Sequence, residues 1–431
     1  MIETILEKAK KKVDSAEVFF SETLTNEISF DSGILKNAER KSIFGYALRV
    51  IHEGRVGFSS TTDPCRIGDM IDNARECSQF GKKTGFAFPA QSNVLPVHTF
   101  DPNIEKFTPD EAVEEGRCAV ETLLDTCPKG LTDVSLFSSV TSIRIANTSG
   151  IDMSYRFTDF SHNVISTIIE GDSILWIGDG GHYGSLTLKT DKYVQKITDL
   201  AKKAEVKAPK ISGSYPVIFT AEELPNLIQS IEMGIDGKRL VKGESPLIGR
   251  EGERVLGAVT LVDDPFIGSA PGSRPFDDEG TPSQCNVLFE DGVFKNFLFD
   301  LDTAADANRR TTGSAARSML STPDIDTSNL VMTPGKSNLS EMISSLDKGI
   351  IVYGALGGGQ SNLLAGDFAL NIMLGFLVSE GEITGRVTDT MISGNVYNSF
   401  GNIAAMGSET SQVGSLFLPD VMFSELSISC R

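Results

Sequence analysis

The sequence predicts an α+β fold, and three features of the chain support this prediction. The length of 431 residues exceeds what one hydrophobic core usually organises, so two domains are expected. The first half mixes amphipathic segments of helical period with runs that alternate between polar and apolar residues. The second half is rich in glycine and in short apolar runs joined by tight-turn dipeptides, a pattern typical of antiparallel sheet.

Two local signals define elements of the first half most clearly. The dipeptide Glu53-Gly54 interrupts an alternating run and predicts a hairpin turn. Thr108, Pro109 and Glu111 supply a cap, a first-turn proline and an early acid, which together predict the start of a helix. The predicted helices of this half cover residues 1–13, 65–80, a segment after Thr108, and 192–206; the predicted strands cover 16–23, 27–30, 44–60 (a hairpin), 135–145, 153–158 and 163–169.

The segment Ala208-Pro209-Lys210 is polar and carries a proline, so we predict a domain boundary there. This divides the chain into an N-terminal α+β domain over residues 1–208 and a C-terminal β-rich domain over residues 209–431. A helix is predicted to begin near Ala221, after a strand over 215–220. The other predicted strands of this half cover 255–262, 286–290, 293–299, 349–353, 368–378 and 382–387, with hairpin turns at Asp291-Gly292 and Glu380-Gly381.

Charge and hydropathy exclude several classes of protein. The net charge of −19 repels nucleic acid phosphates, and no basic block offsets it, so direct DNA binding is not expected. The longest apolar stretches are far too short to cross a bilayer. The first residues lack the basic segment and apolar run of a secretory signal, so we expect a cytoplasmic protein.

The cysteines do not form a recognisable site. No C-x-x-C pair occurs, whereas cysteine-based zinc and redox motifs need close spacing. We therefore expect reduced and mostly buried thiols at Cys65, Cys77, Cys118, Cys127, Cys285 and Cys430.

The four histidines, His52, His98, His162 and His182, give no clear metal motif. A helical zinc pair needs a second histidine one turn after the first, but Val56 and Gly57 stand at those positions after His52. His162 and His182 each follow an aspartate by three residues, and we expect each to be an ordinary surface or hydrogen-bonded histidine. A serine hydrolase pentapeptide G-x-S-x-G is absent, although a spatially assembled triad is not excluded by sequence.

A glycine-rich stretch over residues 354–360 follows an apolar strand, as a phosphate-binding loop does. The lysine and the serine or threonine of a Walker motif are missing after it. A tight turn, or backbone lying close to a ligand, accounts better for these glycines.

The C-terminal half carries a series of short motifs in a fixed order. They are Gly249-Arg250 with Gly252-Glu253-Arg254-Val255, Asp263-Asp264-Pro265, Thr311-Thr312-Gly313-Ser314-Ala315-Ala316-Arg317, Gly366-Asp367-Phe368, Gly375-Phe376-Leu377-Val378, Glu380-Gly381-Glu382-Ile383, Ile392-Ser393-Gly394-Asn395, Asn402-Ile403, Met406-Gly407 and Gly414-Ser415-Leu416-Phe417-Leu418-Pro419. In this order they resemble the TldD/PmbA family and look like the motifs of its PmbA-type members. The similarity covers roughly residues 210–425, whereas the first half shares only the general plan.

The resemblance implies a zinc site that this chain has lost. TldD-type subunits carry an H-E-x-x-x-H helix and a later cysteine. A gapless match from Gly249 and Gly252 puts the helix positions at Ile228, Gln229 and Met233, and the cysteine position falls within residues 354–360, near Leu356. Isoleucine, methionine and leucine lack the ligand atoms that zinc uses in such sites, and glutamine cannot act as a general base. The sequence therefore predicts no catalytic and no metal-binding residue. The apolar spacing of Leu224, Leu227, Ile228 and Ile231 is equally that of ordinary core packing.

Three functions follow from the resemblance and the residues. The first is a non-catalytic PmbA/TldE-like subunit that pairs with a zinc-bearing TldD-type chain and acts on unfolded peptides held as an added strand. In this case zinc is expected only in the partner, and a homodimer is possible when the chain is alone. The second is a self-sufficient hydrolase that uses His162 or His182. The third is a regulatory protein-binding module of the gyrase-modulator type.

Overall fold

The computed structural model describes residues 1–90, 93–171, 173–357 and 361–430, and it confirms the α+β class. The helices are Ile2–Ala9 (α1), Ile67–Ser78 (α2), Pro102–Lys106 (α3), Pro109–Thr126 (α4), Thr190–Ala204 (α5), Pro225–Ile235 (α6), Gly237–Val241 (α7), Leu301–Asp306 (α8), Leu339–Ser344 (α9) and Val396–Gly401 (α10). No helix among the described residues is long and apolar enough to cross a membrane.

Strands make up the larger part of the fold. They are Ser15–Asp31 (β1), Ile34–His52 (β2), Arg55–Thr61 (β3), Gly130–Asn147 (β4), Asp152–Glu170 (β5), Ser173–Tyr183 (β6), Gly213–Phe219 (β7), Leu261–Asp263 (β8), Asn286–Glu290 (β9), Val293–Phe294 (β10), Ala315–Ala316 (β11), Asp324–Ile325 (β12), Leu330–Met332 (β13), Lys348–Gly357 (β14), Asp367–Ser379 (β15), Glu382–Arg386 (β16), Thr390–Asn395 (β17), Ile403–Met406 (β18), Ser411–Val413 (β19), Leu416–Leu418 (β20) and Val421–Cys430 (β21).

The first half forms one antiparallel sheet in the order β3-β2-β1-β4-β5-β6. The turn between β2 and β3 lies at Glu53 and Gly54, whose φ angles of 50° and 70° are those of a tight hairpin turn, as predicted. Helix α4 begins with the predicted capping box, in which the Thr108 hydroxyl accepts a hydrogen bond from the Glu111 amide and the Glu111 carboxylate accepts one from the Thr108 amide. These short-range signals position the sheet and its covering helices.

The second half contains two larger sheets. Strands β14, β7, β21, β17 and β15 close into a ring, because β14 also pairs with β15; β16 and β18 extend this ring. The other sheet has the order β10-β9-β8-β13-β20-β19, with one parallel pairing between β13 and β20. The prediction of a mostly antiparallel β region with embedded helices is therefore confirmed.

Some predicted elements differ from the observed ones. The runs 16–23 and 27–30 form one continuous strand, β1, because β2 and β4 pair along its whole length. The predicted strands 255–262 and 293–299 shrink to β8 and β10. Their apolar side chains are buried all the same, for example Leu256 and Phe297, in irregular backbone that hydrogen-bonds to other loops. Apolar residues that are buried outside a sheet give the same run of apolar residues in the sequence as a buried strand does.

The prediction of mostly buried thiols is wrong. None of the six cysteines forms a disulfide, but four of them are exposed: Cys65, Cys77, Cys118 and Cys285. Only Cys127 is fully buried, where its thiol lies 3.7 Å from the Ser166 hydroxyl. Small residues on amphipathic helix surfaces tolerate either environment, so composition does not settle their burial.

The predicted boundary near residue 208 falls between α5 and β7, and no sheet includes strands from both sides of it. One hydrophobic cluster nevertheless crosses this point. It joins α4, α5 and the first sheet to Ile218, Ile351 and Phe376 of the ring. The division into two domains stays a prediction, and we refer below to the two halves of the chain.

A buried charge cluster also joins the halves. Arg49 of β2 donates hydrogen bonds to Glu17 of β1 at 3.0 Å and to Glu279 of the second half at 2.5 Å. Arg317 approaches Glu17 from the other side, with its Nη2 2.9 Å from Oε1. Glu17 and Glu279 are fully buried, and burial raises the pKa of Glu279 to about 8.

We expect Arg49→Met to destabilise the fold by about 3–5 kcal/mol, because it leaves Glu279 buried without a counter-ion and leaves Glu17 with Arg317 alone. Equilibrium denaturation in urea measures this loss. The matched control is Arg254→Met, which removes an exposed ion pair to Asp291 and should cost less than about 1 kcal/mol. Equal losses for the two variants would contradict a structural role for the cluster.

Candidate functional site

Helix α6 carries three of the four positions that match the family zinc site. It begins at Pro225, whose fixed φ suits the first helical turn, and its apolar residues recur at helical spacing. Ile228 is fully buried in the core of the second half, whereas Gln229 is exposed and Met233 is half-buried. Five helical steps of about 100° put residues 228 and 233 on different faces of a regular helix.

Gln229 and Met233 line one small cavity of about 190 Å³, which we call the helix cavity. Glu232 lies between them and accepts a hydrogen bond from the Thr327 hydroxyl at 3.1 Å. Burial raises the pKa of Glu232. The structure thus brings two of the four matched positions to one cavity, and Ile228 does not line it.

The side chains at this helix do not fit a zinc ion. Zinc in proteins takes nitrogen, sulfur or carboxylate donors arranged tetrahedrally. Gln229 and Met233 supply none of these, and Glu232 is a single carboxylate already bound to Thr327. In the described parts of the chain, no three side chains of histidine, cysteine, aspartate or glutamate gather where a metal could be held.

Leu356, the fourth matched position, lies near the end of β14 and is 48% exposed. Its neighbour Ala355 donates its amide hydrogen to Glu223 at 2.9 Å, which ties this strand to the segment just before α6. Residues 358–360 of the glycine-rich stretch lie outside the described residues. The correspondence of the four positions with a zinc site therefore stays a prediction.

Two further cavities extend from the helix cavity along the joint between the halves. The central cavity has a volume of about 460 Å³ and shares Asp326 and Thr327 with the helix cavity. The outer cavity has a volume of about 730 Å³ and shares His182 with the central one. Strands of the first sheet form one wall, and loops of the second half form the other. The central and outer cavities together make a polar cleft between the halves, whereas residues of the second half alone line the helix cavity.

Charged side chains of both halves meet in the outer cavity. Lys196 of α5 binds Asp179 of β6 at 3.1 Å and Glu222 of the second half at 2.9 Å. Beside them, burial raises the pKa of Glu223 to about 7, although the Ala355 amide opposes this shift. Lys196 therefore forms ion pairs with both halves at one end of the cleft. Arg49 likewise forms ion pairs with both halves at another place.

The histidines occupy four different environments. His182 lines the central and outer cavities, and its Nε2 lies 3.1 Å from the Asp159 carboxylate. His98 is exposed beside Ser269, and His52 ends β2 next to the hairpin turn, which excludes a helical zinc motif there as predicted.

His162 is fully buried, and neither of its ring nitrogens has a hydrogen-bond partner. Its ring packs edge-to-face on Tyr193 at 5.5 Å. The prediction of an ordinary surface or hydrogen-bonded histidine is wrong for this residue. Asp159, three residues earlier on the same strand, points to the opposite face and pairs with His182 of the adjacent strand instead.

Sequence reasoning missed most of the polar residues that line the cleft. They come from distant segments, and no local motif connects them. Glu232 alone had a signal, since it is the one charged residue of helix α6. The other missed residues are Arg274, Asp278 and Asp326 in the central cavity, and Lys196, Glu222 and Glu223 in the outer one.

Family models match two segments of the chain. The description "PmbA/TldA metallopeptidase C-terminal domain" matches residues 212–430, and "PmbA/TldA metallopeptidase domain 1" matches residues 16–78. The first match alone covers more than half of the sequence. The protein therefore has the fold of a PmbA/TldA-type metallopeptidase domain, and the chain belongs to the PmbA/TldD family.

Relatives of known sequence and structure span the full chain. It is 26% identical to "Metalloprotease PmbA" of Escherichia coli O157:H7, over 97% of this chain and 94% of that protein. It is 25% identical to a "Metalloprotease" of Methanothermobacter thermautotrophicus, over 94% of this chain and 90% of that protein.

Among solved structures, TldE from Thermococcus kodakarensis superposes with a TM-score of 0.92 at 24% identity, covering 99% of both chains. A candidate modulator of a DNA gyrase from Thermotoga maritima gives 0.91 at 24% identity, also over 99% of both. At this identity the two structures establish the fold.

The buried His162 predicts a pH dependence of stability. Burial lowers its pKa to about 4, from 6.5 in the unfolded chain, so the unfolded chain binds the extra proton between these values. Stability is therefore complete above pH 6.5 and falls by up to about 3 kcal/mol towards pH 4. We expect His162→Leu to lose this part of the slope in denaturation curves taken across that range.

The control for this measurement is His98→Leu, which removes an exposed imidazole and should keep the wild-type slope. A His162→Leu profile as steep as that of the unmodified chain would show that His162 is not held neutral in the folded state.

Proposed function

We propose that this chain is a non-catalytic, PmbA/TldE-like subunit of a TldD/TldE-type metallopeptidase complex in the cytoplasm. A zinc-bearing TldD-type chain would supply the metal and the general base. The substrates would be unfolded peptides, which the complex degrades or matures. The family membership supports the peptidase context, and the side chains of α6 support the absence of catalysis by this chain alone.

One observation carries the proposal. Where the helix of a zinc peptidase must present ligands and a base, α6 presents Gln229 and Met233 to the cavity and buries Ile228 in the core. An amide side chain cannot accept the proton of an attacking water at neutral pH, and a thioether is a poor ligand for zinc. At the positions matched to the zinc site, α6 therefore lacks the groups that hydrolysis needs, and this supports the proposal.

The cleft between the halves offers a surface suited to peptide backbone. Strands of the first sheet form one of its walls. The lining carries positively and negatively charged side chains together with serine and threonine hydroxyls. Such a lining can exchange hydrogen bonds with main-chain amides without requiring particular side chains. We infer that this chain contributes to holding peptides whose cleavage takes place on the partner.

A self-sufficient hydrolase finds less support. His162 has no exposed surface, so it cannot touch a substrate in this conformation. His182 forms a pair with Asp159, but no hydroxyl or thiol of a described residue is hydrogen-bonded to its ring to complete a nucleophilic triad.

The test compares three samples prepared without an affinity tag: this chain, a TldD-type zinc-bearing chain from the same organism, and their mixture. We expect no cleavage of a fluorogenic unfolded peptide by this chain alone. The mixture should cleave at least about tenfold faster than the sum of the separate samples, because the partner holds the metal and this chain completes the complex. A zinc chelator should abolish the activity.

Metal analysis of the same samples provides the control, with stoichiometric zinc expected only where the TldD-type chain is present. Chelator-sensitive cleavage by the pure single chain, or tightly bound zinc in it, would contradict the proposal. An inert mixture of well-folded chains that form a complex would favour a regulatory role instead.

A further inference from the structure

The central cavity is lined by two arginine side chains that have N–H groups without a hydrogen-bond acceptor. Arg274 and Arg317 both line it. Arg274 donates from Nη1 to the Ala315 carbonyl at 3.1 Å, but its buried Nε and Nη2 have no partner. Arg317 has a fully buried side chain, and none of its three nitrogens makes a hydrogen bond of acceptable geometry, although Nη2 lies near Glu17.

Buried guanidinium groups in this state are costly. Each unpaired N–H group kept from water loses roughly 1–3 kcal/mol relative to a hydrogen-bonded one. Folded proteins therefore leave few such groups, and those that remain call for a partner that binds in the site. The ring of Phe19, 4.4 Å from the Arg317 guanidinium carbon, provides cation–π contact but no acceptor.

Carboxylates line the same cavity without neutralising Arg274. Asp278 is buried there, and its Oδ2 accepts a hydrogen bond from the Arg317 backbone amide at 2.8 Å. Asp326 lies at the exposed rim, and neither acid comes within ion-pair distance of the Arg274 guanidinium. Burial raises the pKa of Asp278, and the charges of Arg274 and Arg317 oppose this shift.

From this lining we propose that the central cavity binds a small zwitterion, namely a free α-amino acid or a short peptide with both termini charged. Its carboxylate would bind the guanidinium groups of Arg274 and Arg317, and its ammonium group would lie towards Asp278 and Asp326. Ser273 and Ser328 also line the cavity; their hydroxyls already donate to the Ile267 carbonyl and to Asp263, so towards a ligand they can act only as acceptors.

The mixed lining selects against ligands of one charge. A simple anion would satisfy the arginines but would also approach two carboxylates, and a simple cation would approach two guanidinium groups. A zwitterion adds no net charge to a chain of −19 and supplies acceptors and donors together. The volume of 460 Å³ lies within the range of small-molecule sites.

This inference goes beyond the proposed function, because such binding needs neither the partner subunit nor cleavage. It can therefore be tested on the full chain alone. An absence of hydrolysis in the mixing experiment would leave it untouched, and a failure here would leave the heterodimer proposal standing.

Isothermal titration of the full chain with three probes tests the proposal: Ala-Ala, N-acetyl-Ala-Ala and Ala-Ala amide. Ala-Ala should bind with a Kd at or below about 1 mM. Each capped probe lacks one charge and should bind at least about tenfold more weakly, because it leaves either the arginines or the aspartates unpaired.

Two variants locate the site. Arg274→Met should weaken Ala-Ala binding by at least about tenfold through the lost carboxylate contacts. Asp326→Asn is nearly isosteric and lies at the exposed rim, so it is not expected to disturb folding; it should weaken Ala-Ala while leaving the amine-capped probe unchanged. Arg254→Met, a surface change distant in sequence from the cavity lining, is the control and should bind as the unmodified chain does.

Three outcomes would overturn the proposal. The first is no binding of Ala-Ala up to about 10 mM, which would indicate that water alone fills the cavity. The second is equal binding of the free and capped probes. The third is unchanged Ala-Ala binding by both cavity variants, which would place the ligand elsewhere.

Discussion

The ion pairs of Arg49 with Glu17 and Glu279 constrain how the two halves of the chain meet. A buried charge that loses its partner cannot turn to water, so the strands that carry Glu17 and Arg49 must hold a fixed distance from the loop that carries Glu279. Asp278, which precedes Glu279 in the chain, and Arg317, which contacts Glu17, line one wall of the central cavity. The shape of the cleft is therefore set by this cluster and by the apolar cluster that joins Ile218 and Ile351 to the first sheet.

The absence of zinc ligands at Ile228 and Met233 and the packing of α6 have the same physical basis. An isoleucine at position 228 contributes apolar area to a core in which it is fully buried, and a histidine there would need a ligand or hydrogen-bond partner that the core lacks. Met233 can fill irregular space at the cavity edge for the same reason that it cannot hold zinc, since its thioether is flexible and weakly polar. One face of α6, which carries Leu227, Ile228 and Ile231, is therefore part of the hydrophobic core.

The parts of the fold that sequence predicted are those that depend on near neighbours. Glu53-Gly54 and Asp291-Gly292 require positive φ angles, and the Thr108 cap needs only a residue three positions on. The residues of the central cavity were not predictable in this way, because Arg274 and Asp326 meet strand residues such as Tyr155 only after the halves assemble. The histidines show the same limit. In the sequence Asp159 lies three residues before His162, but alternation along the strand directs their side chains to opposite faces of the sheet. Asp159 instead contacts His182, which the pairing of β5 with β6 brings onto the same face.

Several polar groups without full hydrogen-bond or charge compensation line the cavities between the halves. Most apolar side chains pack against sheets that are covered by helices or closed into a ring. The polar groups without full compensation that lie between the halves include Arg274 without partners for two nitrogens, Glu223 with a pKa of about 7, and Arg317, which lies 2.9 Å from Glu17 without a well-aligned hydrogen bond. A protein that needed only to fold would gain stability by replacing these groups with apolar ones of similar shape. Because they line cavities that both halves build, their retention is best explained by contacts with a polar ligand that enters the cleft.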